Sequence, residues 1–293
     1  MKKRIEIIAS FKNEEKNILE FTRRVKNSFR KFKNIDYKLI FIDDFSDDSS
    51  NYIIEKLRKK DKRIKLIYFM KNYGASPSIQ TGFDLVSKNN YAAVIDCDLQ
   101  DPPELIAQNF SKIKKGETVH FVRKKRDDPI FQIIYTKIAY FFLYLISNGK
   151  IIMNCNHFKI LPPEVVKKIK KSKEIYPYWN YLFTKYSKEN KLVFYNRKKR
   201  IHGESKFNLF SLNPWITYLS GLFYFKKRFL LTVISLLILN SALIYILSIY
   251  SSNLYLIAIF LLSFCFFIIN LLAFLFILYY KSKNKRIYCK YKS

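Results

Sequence analysis

The chain has 293 residues, enough for about two structural units on the usual domain scale, and carries 53 basic against 23 acidic residues, a formal charge of +30. A surface this basic attracts polyanions such as nucleic acid, anionic lipid head groups or phosphorylated substrates, but a long apolar tract in the same chain argues against nucleic acid. Cysteines at 97, 155, 265 and 289 have the spacing of neither a disulfide framework nor a zinc site, which fits a reducing compartment.

The first six residues, Met1-Lys2-Lys3-Arg4-Ile5-Glu6, contain no uninterrupted apolar stretch of the kind a signal peptide needs. The amino-terminal part is therefore expected to stay in the cytoplasm. Over the first 125 residues, apolar β-rich runs at 4–9, 37–42, 64–69 and 91–95 alternate with helical patterns near 14–32, 48–60, 76–88 and 103–114. This alternation predicts an α/β fold with a doubly wound, mostly parallel sheet. Ligands of such sheets bind outside the carboxyl ends of the strands, so the residues that follow each strand are the ones to read.

After the second strand come Asp43-Asp44-Phe45-Ser46-Asp47-Asp48-Ser49, and after the fourth Asp96-Cys97-Asp98-Leu99-Gln100-Asp101-Pro102-Pro103-Glu104. Two acidic clusters at two strand ends of one sheet point at one crevice. Crowded carboxylates repel unless a cation or polar ligand joins them. Asp96 and Asp98, two apart, can place oxygens near one metal ion that also grips a diphosphate. Magnesium usually takes one or two protein carboxylates plus water and substrate phosphates, which suits this count. Asp47, Asp48 and Ser49 precede a helix and are expected to cap it.

These segments resemble family-2 glycosyltransferases, and within them the polyprenyl-phosphate sugar transferases, which include bactoprenol glucosyltransferases and dolichol-phosphate mannose synthases. The matching stretches are Ser10 to Glu15 (P-x-x-N-E-E), Ile42 to Ser46 (V-D-D-G-S), Lys71-Asn72-Tyr73-Gly74 (R-N-x-G), Asp96 to Glu104 (D-x-D-L-Q-D-P-P-E) and Arg200 to Lys206 (R-x-x-G-E-S-K). They occur in family order between residue 5 and about residue 210. The resemblance implies the GT-A fold and an inverting single displacement. It implies that Glu14 and Asp44 contact the nucleoside, that Asp96 and Asp98 hold Mg²⁺ or Mn²⁺ and the diphosphate, and that Gln100 and Asp101 face the donor sugar or metal. Four departures stand out. Ser10 replaces the family's proline, Phe45 its glycine and Lys71 its arginine, and Asn156-His157-Phe158-Lys159-Ile160 stands where the family reads G-D-F-R-L. His157 in the acidic position is expected to alter donor choice. His120, inside an apolar run, is expected to be structural.

The acceptor side follows from chemistry. A phosphate monoester has a second pKa of about 6, so it is already a nucleophile at neutral pH. Its charge must be held beside an anionic diphosphate, which calls for arginine and lysine. Arg123 and Arg126 after the fifth β-like run, Lys137, and Arg200 with Ser205 and Lys206 are the candidates; Arg200 joins Asp96 and Asp98 as a catalytic candidate.

Residues 207–228 mix Phe207, Trp215, Tyr218, Phe223 and Tyr224 with few charges and read as amphipathic interface helices. From 229 to 280 there is no Asp, Glu, Lys or Arg. The tract divides at Ser251-Ser252-Asn253 into 229–250 and 254–280, about 33 and about 40 Å long as helices, each enough for a bilayer core of about 30 Å. Lys226, Lys227 and Arg228 precede the first stretch, and Lys281, Lys283, Lys285 and Arg286 follow the second. The positive-inside rule then predicts a transmembrane hairpin with both termini cytoplasmic. Asn240 and Asn270 suit hydrogen bonds between helices, within one chain or across a homo-oligomer. The predicted organisation is thus a catalytic domain over 1–206, interface helices over 207–228, a hairpin over 229–280 and a basic tail over 281–293. The predicted function is transfer of a sugar from a nucleotide-sugar, UDP-glucose favoured over GDP-mannose or a UDP-hexosamine, to undecaprenyl-type phosphate at the bacterial inner membrane, for cell-surface glycan modification. The alternative is a non-catalytic basic module that binds anionic lipid.

Overall fold

The computed structural model describes residues 2–124, 150–172, 177–198 and 291–292, with single positions between 133 and 149 and between 261 and 275. Its elements are β1 (Lys3–Phe11), α1 (Glu15–Arg30), β2 (Ile35–Asp43), α2 (Ser50–Lys60), β3 (Ile64–Phe69), α3 (Ala75–Leu85), β4 (Tyr91–Asp96), α4 (Glu104–Ser111), β5 (Glu117–Arg123), β6 (Cys155–Leu161), α5 (Pro163–Lys171), α6 (Trp179–Tyr186), β7 (Glu189–Tyr195) and β8 (Tyr291–Lys292).

The strands form one sheet in the order β7-β5-β6-β4-β1-β2-β3-β8. The pairs around β1 and β2, and β5 with β7, are parallel. β6 runs antiparallel to both β4 and β5, and β8 runs antiparallel to β3. The α/β architecture expected from the alternation is present, as a mixed sheet: the doubly wound parallel part is β3-β2-β1-β4, and β6 reverses direction beyond it.

Side-chain alternation gives each face its own core. Ile5, Ile7, Ala9 and Phe11 of β1, Leu39 and Phe41 of β2, and Ala93 and Ile95 of β4 pack with Ile18, Phe21, Val25 and Phe29 of α1. Successive strand residues point to opposite faces, so Ile8, Ile40, Ile42, Ala92 and Val94 meet Ile79 and Phe83 of α3 and Leu182 and Phe183 of α6 on the other side. The approach of α3 to β1 is close enough to require glycine: a Cβ on Gly82 would stand 2.3 Å from Cγ2 of Ile8.

The interface helices and Arg126, Arg200, Ser205 and Lys206 lie outside the described residues, as does nearly all of the hairpin and the tail. Leu261, Phe264, Ile268, Leu271 and Leu275 are helical. Among the described residues no helix is long and apolar enough to cross a membrane.

Candidate active site

Strand register brings the two acidic clusters to one edge of the sheet. Ser10 of β1 is the register partner of Asp96, and Phe11 that of Asp43. The ends of β2 and β4 therefore flank the end of β1 at one level.

On the β2 side the two adjacent aspartates divide the work. Asp43 is buried and turned inward. Its carboxylate accepts from the Ser46 amide at 3.0 and 3.2 Å, from the Ser46 hydroxyl, and from Nδ2 of Asn51 at 2.8 Å. It organises the turn. Asp44 reaches sideways to the Lys71-Asn72-Tyr73-Gly74 loop. Its Oδ1 accepts from the Tyr73 amide at 2.7 Å, and its Oδ2 from the Gly74 amide at 2.8 Å. Burial pushes the Asp44 carboxyl above the usual range, against these hydrogen bonds. Phe45, where the resembled pattern has glycine, has φ of 67° and is 49% exposed. The backbone keeps the left-handed conformation that glycine would adopt freely, and the ring is carried toward solvent.

The capping expectation is met only in part. The Ser49 side chain makes no cap hydrogen bond. Asp48 accepts instead from the amides of Ser50 and Glu15, each at 3.0 Å, and so joins the starts of α2 and α1. Asn13 and Asp47 bond reciprocally, Nδ2 to Oδ1 and amide to Oδ1. Glu14 is buried; its Oε2 accepts from Nδ2 of Asn17 at 2.6 Å, and its amide donates to Oγ of Ser50 at 3.0 Å.

The β4 side holds the charge cluster. The register that pairs Val94 with Lys159 in the antiparallel β4–β6 ladder, continued two residues, sets Asp96 opposite His157. Nε2 of His157 lies 3.1 and 3.0 Å from the two carboxylate oxygens of Asp96. Burial pushes the Asp96 carboxyl upward, but His157, Arg123 and Arg197 together hold it below the usual range. Asp98 is buried and behaves oppositely. Burial, then the charges of Asp96 and Asp101, push it up to about 6, against Arg197 and the Gln100 amide, which donates to Oδ1 at 3.1 Å. Leu99 between Asp98 and Gln100 sits at φ of 60°, a bend that folds the loop back on itself.

Asp101 is the hub. It accepts from the Tyr195 hydroxyl, and from Nη2 of Arg123 at 3.4 Å. The parallel β5–β7 ladder explains the meeting, because Arg123 and Tyr195 are register partners. Arg123 also donates from Nε to the Tyr195 hydroxyl at 3.3 Å and is only 7% exposed. It thus enters the cluster as a buried partner of Asp101. Burial disfavours its charge, but Asp101 more than compensates and raises its pKa. Arg197 stands beside Asp98 and Asp101, at 3.9 and 3.5 Å. The chain after β7 is tied to the acidic loop: the Lys198 amide donates to the Gln100 carbonyl at 3.0 Å, and Nε2 of Gln100 donates to the Lys198 carbonyl at 3.3 Å. Lys137 is exposed.

Two motif residues prove to be braces. Glu104 forms a fork with Arg24, both contacts at 2.6 Å, and locks α4 to α1. Lys159 is fully buried, donating to the Asn156 carbonyl and to Oδ1 of Asn180 at 3.2 Å. His120 is buried with Nε2 at 2.6 Å from Oδ1 of Asn190; burial and Lys159 push its pKa down to about 3, so it is neutral and structural.

Sequence reasoning missed Tyr195 and Arg197. Nothing sets Arg197 apart among 53 basic residues except its place three residues before Arg200.

No three His, Cys, Asp or Glu side chains among the described residues are arranged to hold a metal ion by themselves. The residues fit a cation whose shell the substrate completes. Asp98 is a buried carboxylate crowded by two others, and a divalent ion bound between it and Asp96 would offset that repulsion.

Comparison with known proteins agrees with this geometry. The family model for glycosyl transferase family 2 matches residues 6–170. A Bacillus subtilis protein described as the uncharacterized glycosyltransferase YkcC is 33% identical over 69% of this chain, which spans 63% of that protein's length. The prophage bactoprenol glucosyl transferase homolog of Escherichia coli is 30% identical over 83% of this chain and 79% of its own. The bactoprenol glucosyl transferase of Shigella phage SfV is 30% identical over 76% and 72%. The chain therefore belongs to glycosyl transferase family 2, with relatives named as bactoprenol glucosyl transferases.

Proposed function

We propose that this glycosyltransferase moves a hexose from a nucleotide-sugar, UDP-glucose favoured, to a polyprenyl phosphate at the cytoplasmic face of a membrane, with inversion at the anomeric carbon. The observation that carries this reading is the convergence of Asp96, Asp98 and Asp101 with Arg197 on one strand-end loop. The names of the bactoprenol relatives support the acceptor class.

In the proposed reaction an acceptor phosphate oxygen attacks the anomeric carbon as the bond from that carbon to the diphosphate oxygen breaks. The nucleoside diphosphate leaves with that electron pair. The acceptor needs no strong base, because a phosphate monoester is largely dianionic at neutral pH. A divalent cation at Asp96 and Asp98 would supply charge neutralisation of the leaving diphosphate. Asp44 would shape the nucleoside pocket by fixing the amides of Tyr73 and Gly74, and Glu14, buried just before α1, would stand near the base or ribose. Gln100 would face the donor sugar, whereas Asp101, buried and engaged by Tyr195 and Arg123, would hold these partners and Arg197 in place. His157, in contact with Asp96, would bias donor choice. Arg200, Ser205 and Lys206 would receive the lipid phosphate; the tether of Lys198 to Gln100 supports this, since Arg200 follows two residues later. The uncharged tract at 229–280 and its basic flanks support a membrane hairpin.

The test is to incubate membranes containing the full chain with a panel of labelled nucleotide-sugars and undecaprenyl phosphate, then extract lipid. Label from UDP-glucose in the lipid phase is the expected result. Label from GDP-mannose or a UDP-hexosamine corrects the donor, and no label from any donor, with salt-dependent lipid binding retained, overturns the enzymatic reading.

A further inference from the structure

Three arginines described in the structure stand near the acidic loop, and they use their donors very differently. Arg24 spends two in a tight fork on Glu104. Arg123 is enclosed and donates to Asp101 and Tyr195. Arg197 is held by charge alone: Nη2 is 3.9 Å from Oδ2 of Asp98, and Nε is 3.5 Å from Oδ1 of Asp101. Both separations exceed a normal N–H···O bond. Its Nε is buried and has no hydrogen-bond partner.

A guanidinium offers five donors in a rigid fork that matches phosphate oxygens. Leaving a buried N–H without an acceptor is unfavourable, and an incoming oxygen would satisfy it. Arg197 also has the placement such a role needs. The paired contacts between Lys198 and Gln100 fix its backbone against the acidic loop, while its side chain remains 17% exposed at the wall of the site. It can turn from the carboxylates toward a ligand without breaking a hydrogen bond.

We propose that Arg197 is a phosphate-binding residue of the transferase site, donating its fork to a substrate phosphate beside Asp98. This rests on the transferase reading. The phosphate belongs either to the donor's diphosphate or to the acceptor's monoester, two sources of the same chemistry.

The experiment uses the full chain in detergent or membranes, with Arg197→Gln and Arg197→Lys variants. UDP binding is titrated with Mg²⁺ and without acceptor. The KM for undecaprenyl phosphate is measured at saturating donor, and thermal melting is recorded alongside. Loss of a charged hydrogen bond to phosphate is expected to weaken one of the two about tenfold or more in Arg197→Gln, with partial recovery in Arg197→Lys. Weakened UDP binding with unchanged acceptor KM assigns the diphosphate; the reverse assigns the lipid phosphate. Both constants within twofold of wild type overturn the proposal, as does a fall in melting temperature with neither constant altered, which marks a structural role. Wild-type protein that binds no UDP and labels no lipid defeats the transferase reading itself; an active wild type with unaltered variants defeats the Arg197 inference alone.

Discussion

Asp96 and Asp98, two residues apart after β4, are driven to opposite proton affinities: His157 and two arginines hold Asp96 low, whereas burial and its neighbours push Asp98 up to about 6. Asp98 therefore takes up a proton more readily folded than unfolded. A raised carboxyl pKa favours the fold below the unfolded value and loses that advantage as pH rises through the folded one. The metal-free protein should lose stability between about pH 4 and about pH 6 through this residue, by at most about 3 kcal/mol. Asp98→Asn mimics the protonated form. It should raise the melting temperature at pH 7.5 in chelator and flatten that pH dependence, yet abolish sugar transfer. Retained turnover with metal present would remove Asp98 from the proposed metal site.

His157 supplies the imidazole that faces both oxygens of Asp96. Replacing it by the aspartate of the resembled pattern sets a further carboxylate directly beside Asp96. His157→Asp should lower the melting temperature in chelator, because like charges repel, and should strengthen Mg²⁺ binding by about tenfold. Calorimetric titration of Mg²⁺ checks both the sign and the size. Unchanged affinity would place His157 outside the cation's surroundings.

Phe45 holds a left-handed backbone that costs an ordinary residue about 1–2 kcal/mol. Its ring is about half exposed and returns little packing. Phe45→Gly should stabilise the fold by about 1 kcal/mol after the extra freedom of unfolded glycine is deducted, seen as a higher urea midpoint. A lower midpoint would mean that the ring contributes more than its exposure implies.

Gly82→Ala forces a methyl into Ile8, which is fully buried. The expected loss is about 1–3 kcal/mol. A double variant with Ile8→Ala should lose less than the sum of the two single variants, since it removes the Cγ2 and Cγ1 that the new methyl meets; a strictly additive loss would mean that the helix backbone shifts instead.

The amino-terminal half of the fold was legible because its information is local. The runs that became β1 to β4 are apolar and end in turn residues, and α1 carries its buried face at Ile18, Phe21, Val25 and Phe29. The crevice was legible from the positions of Asp44, Asp96 and Asp98 after strands. What could not be read was register. His157 meets Asp96, and Arg123 meets Tyr195, only through ladders between segments far apart in the chain. The same holds for Glu104, whose motif position says nothing of Arg24 across the helix pair. Arg197 was hidden by number, one cation among many, until the loop contacts of Lys198 fixed its neighbourhood.

The two outermost strands, β7 and β8, stand at opposite edges of the sheet. Seven inter-strand gaps make that separation about 33 Å, and the whole stretch from 196 to 290 must bridge it. The consequence is one of parity. An excursion that leaves a folded sheet at one rim and rejoins it at the other begins and finishes in the same compartment, so it traverses a bilayer an even number of times or not at all. A single crossing, or three, would pull Tyr291 away from Phe69.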